Sequence, residues 1–217
     1  MSSLILKTIA LITMIIDHYG AIFEPFNMDY RIIGRIAFPI YTFLLVEGYI
    51  HTRDIKKYIT RLITFALISE IPFDYAFYGG VNWSHQNIFF TLSIGLLAMH
   101  FMDKENGFSS TKNISIVLGA ATLATLLNTD YSFMGIVYIM AFYFTREIST
   151  IKRLGIVGII MFVINLVGSV GIQQYSLLAL VVIALYNHKV GWKNKIVQII
   201  YYAAYPLHLI LFYLLNG

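Results

Sequence analysis

Apolar residues in this chain neither alternate with the short period of strands nor form the single stripe of a soluble helix. They run on for most of twenty positions at a time, separated by brief polar clusters. A bilayer core about 30 Å thick needs roughly 20 apolar residues in a helix. Nine such stretches are legible: Leu4–Phe23, Ile32–Ile50, Tyr58–Tyr78, Asn87–Met102, Ile114–Leu127, Phe133–Thr145, Leu154–Gly168, Tyr175–Tyr186 and Ile196–Leu215. The fifth, sixth and eighth are short, leaving room for one of them to be tilted, re-entrant or fused with a neighbour. The expected fold is all-α, a polytopic transmembrane helix bundle of about nine spans forming one domain over residues 1–217. Connections are short throughout, and no internal repeat is visible. Asp17 and His18 interrupt the end of the first span and no small-x-small cleavage site follows, so this span is expected to stay as a signal anchor.

Composition sharpens the membrane reading. The chain is 59% hydrophobic and 12% charged, against about 45–50% and about 25% in ordinary soluble domains. An aromatic content of 16% excludes disorder. The absence of cysteine excludes a disulfide scaffold and a thiolate metal site, and no metal is expected. The net charge of +4 sits in short clusters between apolar stretches, not along one stripe, so no nucleic-acid partner is expected and the surroundings are membrane lipid. With the N-terminus in the cytoplasm, all of the 15 Lys and Arg residues except Arg31 and Arg35 fall on the inner side, Lys104 and Lys193 among them. That bias follows the positive-inside rule. It supports an odd number of spans, a C-terminus outside and a multi-pass protein of the cell's inner (plasma) membrane.

Several polar residues nevertheless lie within the spans: Asp17, His18, Arg35, Glu47, Glu70, Asp74, Asn165 and His208. The five formal charges would together cost on the order of 10 kcal/mol or more against lipid, so they must face one another or a wet cavity. At about 1.5 Å of rise per residue, His18 lies roughly 20 Å from the inner surface and Arg35 roughly 6 Å below the outer one. Asp74 sits at a similar level to Arg35, and Glu70 one turn deeper. His208 comes out about 10 Å below the outer face, with Asn165 in the same half. Regions far apart in sequence thus send polar groups to one layer. Pro39, Pro72 and Pro206 stand beside Arg35, Glu70–Asp74 and His208, and each frees a backbone carbonyl that needs protein or water in lipid.

Structural explanations compete at each position. Arg31 and Arg35, like Glu70 and Asp74, are spaced i, i+4, so a plain ion pair between helices would satisfy Arg35 and Asp74. Arg31 is near enough to the surface to snorkel. Glu47 and His51 read as solvated at the inner end of the second span, and Asn87 as a helix cap. His85 and Gln86 are equally readable as loop or as the mouth of a cavity. Asp17 and His18 point about 100° apart on a helix, so a contact from Glu70 or Asp74 is the easier way to orient the imidazole.

Lys7 to Asp17-His18, Arg31-Ile-Ile-Gly-Arg35-Ile-Ala-Phe-Pro39, Phe43-Leu-Leu-Val-Glu47-Gly-Tyr-Ile-His51-Thr-Arg53 and Ala66-Leu-Ile-Ser-Glu70-Ile-Pro72-Phe-Asp74 resemble the TraX family. Gln86-Asn87-Ile-Phe-Phe-Thr91 and Tyr205-Pro-Leu-His208-Leu continue the match, which spans essentially the whole chain. The resemblance implies a polytopic membrane acetyltransferase, similar to a protein that N-acetylates a conjugative pilin. It is similar more distantly to transmembrane acyltransferases that move acyl groups from cytoplasmic coenzyme A to sugars.

Joined to the polar layer, that resemblance gives a set of expected roles. Acetyl-CoA, the acyl donor, would dock from the cytoplasm on Arg53, Lys56, Lys57 and Arg61, or on Arg146, Lys152 and Arg153. His18 would act as general base on an amine or hydroxyl of a peptide or glycan acceptor. Arg35 or His208 would stabilise the oxyanion, while Asp17, Glu70 and Asp74 would set protonation states and hold the arginine. With no serine or cysteine nucleophile motif, direct transfer is expected ahead of an acyl-enzyme, an acyl-histidine staying open. The competing reading is a proton- or ion-coupled small-solute transporter, which also needs intramembrane carboxylates and broken helices but usually carries inverted repeats.

Overall fold

The computed structural model describes residues 1–103, 111–168, 171–189, 191–192 and 194–216. Lys104 and Lys193 lie outside the described residues. The described residues are all-α, in the order α1 (Ser3–Phe23), α2 (Met28–Gly34), α3 (Ala37–His51), α4 (Ile55–Tyr78), α5 (Ile88–Asp103), α6 (Thr111–Leu126), α7 (Ser132–Phe144), α8 (Thr150–Gly168), α9 (Leu178–Ala184) and α10 (Lys195–Asn216). A 3-10 turn over Ile172–Leu177 runs directly into α9.

Four of these stretches are long and apolar enough to cross a membrane: Ser3–Phe23, Met28–His51, Thr150–Val167 and Ile196–Asn216. Four shorter apolar helices accompany them. At 24 residues α4 is also long enough, although Lys56, Lys57, Arg61, Glu70 and Asp74 make it far more polar. The protein is a multi-pass membrane protein.

The second expected span is broken. Helix α2 starts at Met28, with the Asn27 side chain accepting from the Asp29 N–H at 3.1 Å, and it ends at Gly34. Pro39 explains the break, because its ring excludes the carbonyl of residue i−4, which is Arg35. The chain restarts as α3 at Ala37, and Pro39 then stands in the first turn, where a missing N–H is tolerated. Pro72 and Pro206 stay inside α4 and α10.

Helix α3 is buried nearly all round, from Ala37 to Glu47, and forms the centre of the bundle. Large apolar side chains on α8 and α10, such as Ile159, Val167 and Leu214, point outward, as lipid-facing positions should. Glu47 is a correction to the sequence reading. It is 8% exposed, not solvated, and pairs with Arg153 of α8 at 3.5 Å. Arg153 also donates to the Phe142 carbonyl at 3.1 Å and lies over the rings of Phe43 and Phe142, so it is no free phosphate ligand.

Candidate active site

Helix α1 brings Asp17 and His18 to the bundle interior on two different faces, as the 100° step between neighbours requires. Asp17 faces α2. Its carboxylate accepts from Arg31 Nη1 at 2.8 Å and from Arg35 Nη2 at 2.7 Å, and its carbonyl accepts from Arg31 at 3.1 Å. The two arginines are one helical turn apart, and Gly34 between them lets α2 lie against the carboxylate: a Cβ there would sit 2.1 Å from Asp17 Oδ1. Arg35 further donates to Gln173 Oε1 at 3.2 Å. Gln173 reaches the Tyr138 hydroxyl at 3.5 Å, and that hydroxyl donates to Asn165 at 2.5 Å. Asn165 therefore belongs to a neighbouring network and joins the arginine only through intermediaries.

His18 faces α10. Its Nδ1 lies 2.7 Å from His208 Nε2, with the ring planes 18° apart, while His208 Nδ1 lies 2.8 Å from the Ala204 carbonyl. A carbonyl only accepts, so His208 Nδ1 carries a proton. In the neutral pair His208 Nε2 is then an acceptor, His18 Nδ1 is the donor, and His18 Nε2 keeps a lone pair. The phenyl ring of Phe77 meets His18 edge-on at 5.2 Å and helps fix its plane.

Asp17, His18, Arg31 and Arg35 wall a cavity of about 180 Å³, together with His85 and Asp130. Tyr41, Tyr131 and Tyr205 complete much of its aromatic lining. At about 30 Å³ per water, this is room for roughly six waters, or for a thioester and the reacting end of an acceptor, but not for a whole coenzyme.

Glu70 and Asp74 do not line the cavity, and neither orients His18 or holds an arginine. Both are buried on α4 and secure the segment that follows it. Asp74 accepts the Asn82 N–H at 2.9 Å, and Glu70 accepts from the Asn87 N–H at 3.1 Å and side chain at 2.5 Å. Asn87 in turn caps α5 by accepting from the Phe89 N–H at 3.0 Å. This segment pairs with the turn before α7: Gln86 N–H donates to the Asn128 carbonyl at 3.1 Å and Asp130 N–H to the Gln86 carbonyl at 2.8 Å. His85 and Asp130 are thereby set at the cavity wall.

Asp130 and Tyr131 escaped sequence reasoning. They occupy a polar turn between two short spans, where Tyr131 adopts a left-handed conformation at φ 62°. The Asp130 carboxylate has no cation within ion-pair distance among the described residues, unlike doubly paired Asp17. Burial pushes its pKa above the ordinary carboxylate value, against the pull of His85 and Arg35. Tyr205 had one available signal, its i, i+3 spacing from His208.

The residues expected to meet the coenzyme lie apart from this cavity. Arg53 and Lys57 are exposed, Lys57 paired with Asp54 at 3.0 Å. Arg61 is half-buried, its guanidinium over the rings of Tyr58 and Tyr202.

The family model described as TraX protein matches residues 2–216. The chain belongs to the TraX family. A probable fimbrial assembly protein, FimC of serogroup H1 from Dichelobacter nodosus, is 30% identical over 69% of this chain and 66% of its own length. Protein TraX of Escherichia coli is 24% identical over 74% of this chain and 63% of its own length. This TraX-family chain thus spans less than two thirds of these relatives. No solved structure matches it.

Proposed function

We propose that this TraX-family protein is a membrane acetyltransferase, passing an acetyl group from acetyl-CoA to an amine or hydroxyl of an acceptor at the outer side. The observation that carries the reading is the histidine pair. The Ala204 carbonyl and His208 fix the tautomer of His18 and leave its Nε2 as the base available to the cavity. The Arg31–Asp17–Arg35 cluster adds fixed charge to the wall of the same cavity. With the N-terminus cytoplasmic and the C-terminus outside, the cavity belongs to the outer half of the bundle. Arg53, Lys57 and Arg61 would then meet the coenzyme's phosphates from the cytoplasm. The fimbrial name carried by one relative favours a peptide over a glycan as acceptor.

In the transfer, His18 Nε2 removes the acceptor proton as nitrogen or oxygen attacks the thioester carbon, and the proton passes to the departing coenzyme A sulfur. Asp17 holds both arginines in place, and Glu70 and Asp74 act at a distance, by positioning His85 and Asp130. The test is purified protein with labelled acetyl-CoA. Coenzyme A release is expected from the wild type and loss of it from His18→Ala. Equal turnover by His18→Ala, or solute uptake driven by an ion gradient with no acetyl transfer, refutes the reading.

A further inference from the structure

Among the described residues two carboxylates line the cavity, Asp17 and Asp130. The other polar side chains on its wall belong to arginines, histidines and tyrosines, which carry positive charge or none. Asp17 is committed, its two oxygens held by Arg31 at 2.8 Å and Arg35 at 2.7 Å. Asp130 is not. Its carboxylate meets no side-chain donor among the described residues, and only the Tyr131 N–H leans toward it. His85 and Arg35 pull on the charge from outside ion-pair distance.

The free carboxylate is also reachable. Asp130 is half-buried, and neither of its oxygens is sealed from water without a partner, as Glu70 Oε1 and Asp74 Oδ1 are. An unpartnered oxygen that is not sealed meets open space, and Asp130 lines the cavity and its mouth. The main chain, by contrast, is pinned: the Asp130 N–H donates to the Gln86 carbonyl at 2.8 Å, and the Thr91 hydroxyl donates to the Asp130 carbonyl. A partly buried carboxylate held in place without a cation is satisfied when one enters. The aromatic rings that make up much of the remaining wall suit such a guest.

We infer that Asp130 is the anionic subsite that takes the ammonium of the acceptor, so that amines are chosen over hydroxyls, an assignment that rests on the acetyltransferase reading. A terminal amine with an ordinary pKa of about 8 arrives charged at neutral pH. It can give the carboxylate charge-assisted hydrogen bonds, whereas a hydroxyl brings no charge. His18 bounds the same cavity, so a group anchored on Asp130 stays where transfer is proposed. The competing role for Asp130 is that of distant counter-ion to the surplus positive charge of Arg31, Asp17 and Arg35, a role indifferent to the acceptor.

The experiment uses Asp130→Asn, which keeps the shape and removes the charge, in the purified full chain at pH 7. A synthetic peptide labelled at its C-terminus is titrated with a free and with an acetylated N-terminus, glucosamine and N-acetylglucosamine serve as competitors, and coenzyme A release from acetyl-CoA is followed in parallel. The wild type is expected to bind the free amine about 10- to 100-fold more tightly than the acetylated form. Asp130→Asn should lose that preference and raise KM for the amine by a similar factor, with kcat and melting temperature changed little, and Asp130→Glu should recover part of the binding. Displacement by glucosamine but not by N-acetylglucosamine supports the same subsite with a sugar amine as its source. A wild type without preference for the free amine, or Asp130→Asn with the wild-type preference, overturns the subsite and leaves the acetyltransferase reading standing. Equal weakening of both forms, or a lowered melting temperature that accounts for the loss, overturns it in favour of the counter-ion. A wild type that prefers the free amine yet releases no coenzyme A upholds the subsite and overturns the acetyltransferase reading.

Discussion

Replacing Gly34 by alanine is the smallest change that reaches the ion-paired centre. The added Cβ would lie 2.1 Å from Asp17 Oδ1, 2.2 Å from its Cβ and 2.4 Å from its Cγ, where ordinary contact begins at 3.4 Å. Asp17 or α2 must therefore move by about 1 Å or more. The bonds of 2.8 and 2.7 Å to Arg31 and Arg35 do not survive such a shift, because both arginines ride on the helix being pushed away. Overpacking alone costs about 1–3 kcal/mol, and orphaning one member of a fully buried ion pair about 3–5 kcal/mol. Here the side chains of Arg31, Arg35 and Asp17 remain 29%, 14% and 11% exposed, so water offsets part of the second loss. The sum is about 3 kcal/mol, or roughly 6–12 °C in melting temperature for a chain of this size. Transfer should fall about 10²-fold as the charged centre is displaced from the thioester. Melting is followed by far-UV circular dichroism and transfer by coenzyme A release. Gly20→Ala provides the contrast: its Cβ would press on Tyr30 Cβ at 2.3 Å at the same helix interface, so stability should drop with less loss of rate. If Gly34→Ala melts and turns over like the wild type, the close approach of α2 to Asp17 is refuted.

Two further outcomes follow from the buried polar contacts. His208→Ala removes the acceptor that fixes the His18 tautomer and should lower kcat by about 10²-fold. His208→Gln, whose amide oxygen can accept from His18 Nδ1, should recover part of that rate in the same assay. Arg153→Met leaves buried Glu47 with only His188, at 4.0 Å, as an ion-pair partner among the described residues and should cost about 2–4 kcal/mol by thermal melting, while Glu47→Leu with Arg153→Met should restore most of the stability.

The sequence was most legible where the membrane imposes a simple rule. A charge in lipid is costly enough that Asp17, Arg35 and His18 could be placed inside the bundle before any contact was known, and the structure does gather them around one cavity. The same rule is silent about partners. Glu70 and Asp74 met it equally well, yet their oxygens turn to Asn87 and Asn82. Glu47 looked like a helix end because its partner, Arg153, lies more than a hundred residues away. Spacing along one helix reveals which residues share a face, but pairing between helices depends on crossing geometry that no local pattern records.

Tyrosine marks the other limit. It costs little to bury, so Tyr41 and Tyr205 read as ordinary apolar filling within their spans, and nothing in hydropathy separates a ring packed in the core from one that lines a cavity. The distinction lies in the last atom: of the contacts around Tyr205, the rings of His18, His208 and Phe89 satisfy its apolar body, and only the Oη is left wanting. A histidine whose tautomer is fixed through a backbone carbonyl lines the same cavity as that ring. On the acetyltransferase proposal, an acyl group and the reacting end of its acceptor are what enter that cavity.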